Sequence, residues 1–311
     1  MKFIDLHCDT ASKLYYQKGK SIKQNDFSVD IEKLKQGNAM TQFFALFICQ
    51  ERCDSPLETC NSMLDNLLSE LNKNGDDIKI ALNYDDILKN SDNKKISAMI
   101  TIEEGEALEG NMENLYRFYD KGVRLMTLTW NYENSIGYPH IDKSFQQKGL
   151  KNFGIDVVQE MNRLNMIIDI SHISDGGFYD VAKFSKKPFV ASHSNARTIT
   201  GHSRNITDDM IKVLANSGGI MGINFANHFL GTNEVSSIDD MIKHMKHIRN
   251  VGGIDVIALG SDFDGIGNKV EIEDISEMDK LYKSLMANGF KESEIEKIFY
   301  KNALRLIQET L

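Results

Sequence analysis

Long apolar runs, proline, paired cysteines and basic clusters are all scarce in this chain, and each scarcity removes a class of protein. No stretch of about 18 apolar residues, the length a membrane-spanning helix needs, occurs among the 311 residues, so no membrane partner is expected. Met1-Lys-Phe-Ile-Asp5 runs straight into a strand pattern, unlike a charged-then-apolar leader, and Asn302–Leu311 reads as an amphipathic helix, not a lipid-anchor tail. Cytoplasmic localisation is the resulting expectation. Lys and Arg number 36 against 45 Asp and Glu, a net charge of -9. Phosphate backbones call for clustered Lys and Arg, so nucleic acid is not an expected partner. The four cysteines, Cys8, Cys49, Cys53 and Cys60, form no CxxC pair and are expected to stay reduced; the grouping of Cys49, Cys53 and Cys60 matches a second zinc site only weakly. Three prolines and the lack of a Ser/Gly-rich linker mark no domain boundary, and a single domain over residues 1–311 is expected.

What the chain does have is a set of strong metal-ligand types, each at the C-terminal end of an apolar run. Asp5-Leu-His-Cys-Asp9 places His7 and Asp9 two apart, and in a strand residues i and i+2 point the same way, so both can reach one cation. Glu103 follows Ser97-Ala-Met-Ile-Thr-Ile102, His172 follows Met166-Ile-Ile-Asp-Ile-Ser171, His193 follows Pro188-Phe-Val-Ala-Ser192, and Asp262 follows Val256-Ile-Ala-Leu-Gly-Ser261. Ligands this dispersed must be gathered by the fold. A (β/α)₈ TIM barrel does so naturally, because its active site is assembled where the C-terminal ends of eight strands meet. The remaining pattern fits: strands at Met40–Cys49, Arg124–Trp130 and Gly219–Asn224 alternate with helices predicted near Ile31–Gln36, Ser55–Lys73, Met112–Tyr119, Gly149–Leu164, Asp175–Phe184, Thr207–Asn216 and Ser237–Val251.

Strand parity selects among neighbouring acids. With Ala98, Ile100 and Ile102 facing helices, Ser97, Met99, Thr101 and Glu103 point into the barrel, so Glu103 is preferred over Glu104. The same rule sends Phe3, Asp5, His7 and Asp9 inward with Ile4 and Leu6 outward, and Val256, Ala258, Gly260 and Asp262 inward with Ile257 and Leu259 outward. It does not discriminate at His172, which shares its parity with Met166, Ile168 and Ile170. His202, His228, His244 and His247 carry no expected metal role, the last two lying three apart on a helix face with Lys243, Lys246 and Arg249 that reads as solvated.

Taken in order, Asp5-Leu-His-Cys-Asp-Thr10, Ile102-Glu-Glu-Gly105, Leu128-Thr-Trp-Asn131, Asp169-Ile-Ser-His172, Ser192-His-Ser-Asn195, Arg204-Asn205, Gly260-Ser-Asp-Phe-Asp-Gly265 and Asn302-Ala-Leu-Arg305 resemble the membrane dipeptidase (renal dipeptidase) family, the M19 metallopeptidases of the amidohydrolase superfamily. The resemblance implies a (β/α)₈ barrel carrying two Zn²⁺ ions, His7 and Asp9 on one, His172 and His193 on the other, Glu103 bridging. It implies Asp262 as acid/base, Arg204 as the receiver of the substrate's terminal carboxylate, a small dipeptide as substrate and a homodimer as one assembly. Ligand chemistry agrees: imidazole and carboxylate suit zinc, with manganese or cobalt as alternatives, and paired ions can share a carboxylate and a hydroxide that attacks an amide. One departure stands out. Animal members of the family carry a histidine after Leu-Thr, where this chain has Trp130; indole donates a hydrogen bond but cannot accept or titrate. Trp130, with Asn131 or His140, is therefore where substrate contacts are expected to differ. That departure leaves a related amidohydrolase acting on N-acyl amino acids or β-lactam-like amides as an alternative, and a non-catalytic metal-binding protein as a more distant one.

Overall fold

The computed structural model describes residues 1–311. Eight parallel strands form a ring: β1 (Phe3–Cys8), β2 (Ala39–Phe47), β3 (Ile96–Glu103), β4 (Val123–Thr127), β5 (Ile167–Asp169), β6 (Val190–Ala191), β7 (Ile220–Ile223) and β8 (Ile257–Leu259). Each pairs with its sequence neighbours, and β1 closes on β8 through Asp5 and Leu259. A three-residue strand, Ile78–Ile80, fills the free edge of β3 below β4. The chain is thus a (β/α)₈ barrel, with helices between strands and outside the ring.

Helices begin where a short polar side chain can take up orphan backbone N–H groups. Ser55 accepts from Glu58 N at the start of Pro56–Lys73, Thr207 from Met210 N at Asp208–Asn216, and Ser237 from Asp240 N at Ile238–Gly252. Apolar residues divide between two clusters. The larger lies between strands and helices and includes Ala98, Ile100, Ile102, Ile168, Ile257 and Leu259. The smaller fills the barrel with Leu6, Met99, Leu125, Ile167, Val190, Ile220 and Ala258, and is joined by Ala303, Leu306 and Ile307 of the C-terminal helix Asn302–Thr310. That helix plugs the barrel floor. Asn302 Nδ2 fastens it by donating to Ile254 O and Ile257 O, both at 2.8 Å.

Parity therefore holds on β3 and within β8 itself, although Val256, expected inward, sits in the 3₁₀ turn before that strand and packs in the outer cluster; it fails on β1. Ile4 and Leu6, expected outward, belong to the inner cluster, while Phe3 and Cys8 pack outward. The physical reason is irregular pairing: the β1–β2 register shifts between Phe3 and Ile4 and again between Asp5 and Cys8, and across the second shift the faces of β1 exchange, so Leu6 and His7 both point inward. His7 reaches the site across the second shift.

His244 also departs from expectation. It is fully buried, its Nδ1 accepting from Ala196 N at 3.1 Å and its Nε2 lying 3.0 Å from Leu230 O, whereas His247 is partly exposed and pairs with Asp208 at 2.7 Å. At His244 the helix Ile238–Gly252 is covered by Ala196, Thr200 and Leu230, which overrides the charged pattern of its exposed stripe. Burial lowers the His244 pKa to about 4. A depressed folded-state pKa means stability fully present above about pH 6.5 and lost on acidification towards pH 4, about 3 kcal/mol for this one group. Urea unfolding of wild type and His244→Gln at pH 7.5 and 4.5 checks this. The variant should be weaker at pH 7.5 but lose less on acidification; parallel pH profiles would remove His244 as the cause.

Candidate metal centre and active site

The C-terminal ends of the strands converge on one polar cluster. Glu103 ends β3, His193 lies two residues past β6, and His172 and Asp262 three past β5 and β8. Past β1, Asp9 N donates to Phe263 O at 2.9 Å, laying the His7–Asp9 and Asp262–Gly265 segments side by side. His172 turns into the site despite its outward parity because its backbone is left-handed, at φ 68°. Glu104 (φ 99°), Asp262 (φ 61°) and Asp264 (φ 72°) also have positive φ. Each such non-glycine residue costs about 1–3 kcal/mol and persists only where its surroundings enforce it, typically at functional sites.

Glu103 is the hub. Its Oε2 lies 3.2 Å from His7 Nε2, which is 3.5 Å from Asp9 Oδ2 and 3.9 Å from Asp262 Oδ1. Its Oε1 lies 3.1 Å from His172 Nε2 and 3.4 Å from His193 Nε2, and those two nitrogens are 3.1 Å apart. Burial would raise the Glu103 carboxyl, but the surrounding imidazoles outweigh it and hold it well below the usual range. Burial likewise works against charge on His7, yet Glu103 and Asp9 carry its pKa well above normal; His193, buried beside His7, falls well below. Burial, reinforced by the charge of Glu103, pushes Asp9 up to about 6; burial with Asp9 and Glu103 nearby pushes Asp262 up to about 7.

The chemistry of this donor set fits divalent cations. Both ring nitrogens of His7 and Oδ1 of Asp9 are buried without hydrogen-bond partners, which is costly for groups that nothing else satisfies. The spacings just given, 3.1 to 3.5 Å among Glu103, His7, Asp9, His172 and His193, are close to the roughly 3.4 Å between two donors on a tetrahedral ion with bonds of about 2.1 Å. His7, Glu103 and His193, and separately His7, Asp9 and Asp262, present ligand atoms close enough to share an ion.

A second layer fixes these side chains, as ligand orientation requires. Asn131 Oδ1 sits 3.0 Å from His172 Nδ1, and Ser192 Oγ 2.7 Å from His193 Nδ1. Ser192 Oγ in turn donates to Asp169 Oδ2, which also accepts from Thr127 Oγ1, both at 2.6 Å. Asn224 Nδ2 donates to Asp262 Oδ2 at 2.9 Å. Gly265 leaves the room these carboxylates need: a Cβ there would lie 2.1 Å from Asp9 Oδ2 and 2.5 Å from Asp262 Oδ1. Gly265→Ala is expected to lower kcat by about 100-fold, the scale of a 1 Å displacement of catalytic groups, with less bound metal by elemental analysis; wild-type turnover would show that Asp9 and Asp262 have more freedom than this packing allows.

Arg204 is buried to 2% exposure, and only its Nη1 has a partner, Ser194 Oγ; Nε and Nη2 have none. Arg197, seven residues earlier, is spent in a bidentate pair with Asp175 at 2.7 Å. An uncompensated buried guanidinium calls for an anion. A cavity of about 230 Å³ adjoins the cluster, lined by Phe47, Trp130, Asn131, Phe229 and Ile266 together with Asp9, Glu103, His172 and Asp262. Trp130 stands against Phe47 with ring centroids 4.8 Å apart. His140 lies behind this wall, its Nδ1 2.9 Å from Ser203 Oγ and its ring 5.8 Å from that of His172. His228 also lines the cavity. The three clustered cysteines do not converge: Cys60 is buried in the outer core, Cys49 contacts the Tyr132 hydroxyl at 3.6 Å, and all are free thiols.

Sequence reasoning assigns no role to Asp169, Asn224 and Ser194, and weighs Glu104 only as a ligand. Asn224 had a usable signal, since it ends the apolar run Gly219–Ile223 as the other site residues end theirs.

Comparison with known proteins agrees with this architecture. The family model described as Membrane dipeptidase (Peptidase family M19) matches residues 1–311. An uncharacterized dipeptidase of Schizosaccharomyces pombe is 30% identical, with 99% of this chain and 80% of the relative aligned. An uncharacterized protein from the pqqA 5' region of Klebsiella pneumoniae is 32% identical over 74% of this chain and 88% of its own length. Among solved structures, a metallo peptidase from Rhodobacter sphaeroides, liganded with a phosphinate mimic of the dipeptide L-Ala-D-Ala, superposes with a TM-score of 0.93 at 24% identity, covering 100% of this chain and 99% of that one. No helix is long and apolar enough to cross a membrane. The chain belongs to the membrane dipeptidase family, peptidase family M19, and is a metal-dependent hydrolase of peptide bonds.

Proposed function

We propose that the chain acts as one catalytic domain, a zinc dipeptidase that cleaves small dipeptides bearing a free C-terminal carboxylate. His7 and Asp9 would hold one ion, His172 and His193 the other, with Glu103 shared between them. The observation that carries this reading is the division of the Glu103 carboxylate, Oε2 towards His7 and Oε1 towards His172 and His193. When bound, such ions supply Lewis acidity for a scissile carbonyl and bring the ionisation of water near neutral pH.

The chain's own groups do the rest. Asp262, held through Oδ2 by Asn224 and with Oδ1 turned to the cluster, would accept the proton of the attacking water and return it to the leaving amine; a carboxyl poised near neutrality suits both halves of that transfer. Arg204 offers its free Nε and Nη2 to the substrate carboxylate in the planar geometry that carboxylates favour. Trp130, Phe47, Phe229 and Ile266 line the apolar part of the cavity and would exclude water around the substrate's side chains.

The test is hydrolysis of L-Ala-L-Ala and L-Ala-D-Ala by protein as purified, after chelation and after zinc is restored. Activity lost on chelation and regained with zinc is expected. Because Arg204 would hold the carboxylate of an N-acyl amino acid equally well, a parallel series of such amides is included; cleavage of these alone would replace the dipeptidase reading with the broader amidohydrolase one.

A further inference from the structure

Glu104, the residue after the shared carboxylate, has no place in the scheme above, yet its side chain is completely buried. Its backbone stands at φ 99° and ψ 101°, a region that glycine adopts readily and side-chain-bearing residues avoid. The carboxylate it brings there does not face the metal cluster. Its Oε2 accepts from Trp130 N at 3.1 Å, while Oε1 accepts from Asn134 Nδ2 and from Glu106 N, the latter at 3.0 Å. Asn134 is itself the hub of the loop after β4, donating to Leu128 O and accepting from Ile136 N and Gly137 N, each at 2.9 Å. Gly105 presses against the same loop so closely that a Cβ would sit 2.5 Å from Leu128 O.

That loop carries two groups of the site. Trp130 lines the cavity, its ring 4.8 Å from Phe47 and 5.3 Å from Tyr132, and Asn131 orients His172. Aromatic neighbours restrain the Trp130 ring, but its backbone is tied to the barrel rim by the Glu104 carboxylate. We propose that Glu104 is a positioning residue that sets the Trp130 wall of the substrate cavity relative to the metal cluster, and so tunes which dipeptides bind. The inference rests on the dipeptidase reading for its substrate, but not for the link between Glu104 and Trp130.

Trp130 is the only tryptophan in the chain, so indole fluorescence reports this position alone. The experiment compares wild type, Glu104→Gly and Glu104→Gln, each checked for a cooperative thermal transition and for metal content. Glycine relieves the backbone strain while deleting the carboxylate, so a folded variant is expected; glutamine keeps the bulk and one acceptor oxygen. Glu104→Gly should change the wavelength or quenching of Trp130 emission and raise KM for L-Ala-L-Ala by about tenfold, below the 100-fold scale of a 1 Å misplacement. The fall in kcat should be smaller and metal content unchanged. Glu104→Gln should lie between the two. Unchanged emission and KM in folded Glu104→Gly would overturn the proposal, as would metal loss with unchanged emission, which would place Glu104's effect on the ligands instead. If wild type cleaves no dipeptide, the functional reading fails, while emission in the absence of substrate still decides whether Glu104 holds Trp130.

Discussion

Replacing Asp262 by asparagine should lower kcat by about 10²- to 10⁴-fold, the range spanned by removal of a positioned general acid or base, and leave KM within a few fold. Asparagine matches aspartate in shape, so contact with Asn224 survives in altered polarity and the fold is not challenged. What disappears is the capacity to take up a proton. The wild-type rate should rise with pH as Asp262 ionises, since the carboxylate is the base form, and that ascending limb should be missing from the variant. Metal analysis completes the test, because Asp262 Oδ1 lies 3.9 Å from His7 Nε2 and belongs to one of the two groups of potential ligands. Retained metal with lost turnover supports the acid/base role. Loss of metal together with turnover would make Asp262 a ligand, and turnover within tenfold of wild type would remove it from the chemistry.

Arg204→Met should reduce kcat/KM for dipeptides by about 100-fold, near 3 kcal/mol, the scale of a desolvated charge-assisted pair. The loss should be much smaller for the corresponding dipeptide amides, which present no carboxylate and should be poor substrates of the wild type. The same substitution should stabilise the substrate-free protein by about 1–3 kcal/mol, because it replaces a buried cation that has one polar partner with a residue that has no charge to desolvate. Higher stability with lower activity is characteristic of a group retained for binding. Equal losses on dipeptides and their amides would show that Arg204 acts on the fold instead of on the carboxylate.

Much of this site was legible because barrel geometry and apolar patterning coincide. A histidine or acid that ends a short apolar run lies at the catalytic rim of the barrel, so His7, Glu103, His193 and Asp262 could be found without knowing how the strands pair. Parity points Glu103 into the barrel and Glu104 away from it, as the fold orients them, since β3 pairs with β2 in unbroken register from Thr41–Ser97 to Phe47–Glu103. It misplaces Ile4 and Leu6 because pairing slips between Asp5 and Cys8, and it is silent on His172 because a left-handed residue past the strand end is outside any strand period. The strand Ile78–Ile80 and the polar helix Tyr84–Asp92 went unanticipated; three residues are too few for a periodic signal. That Asp175 engages Arg197 while Arg204 keeps two unpaired nitrogens is visible only in the folded chain. Parity points Glu104 away from the ligands, and its contacts are with the loop that carries Trp130.

Whether two ions share Glu103 in this peptide-bond hydrolase is decided by titrating metal-stripped protein with zinc while following L-Ala-L-Ala hydrolysis and bound metal together. Activity should climb to a plateau at about two zinc ions per chain, and Glu103→Gln should reach neither the plateau nor the stoichiometry. Full activity without metal, or a plateau at one ion that Glu103→Gln leaves unchanged, would contradict a shared Glu103.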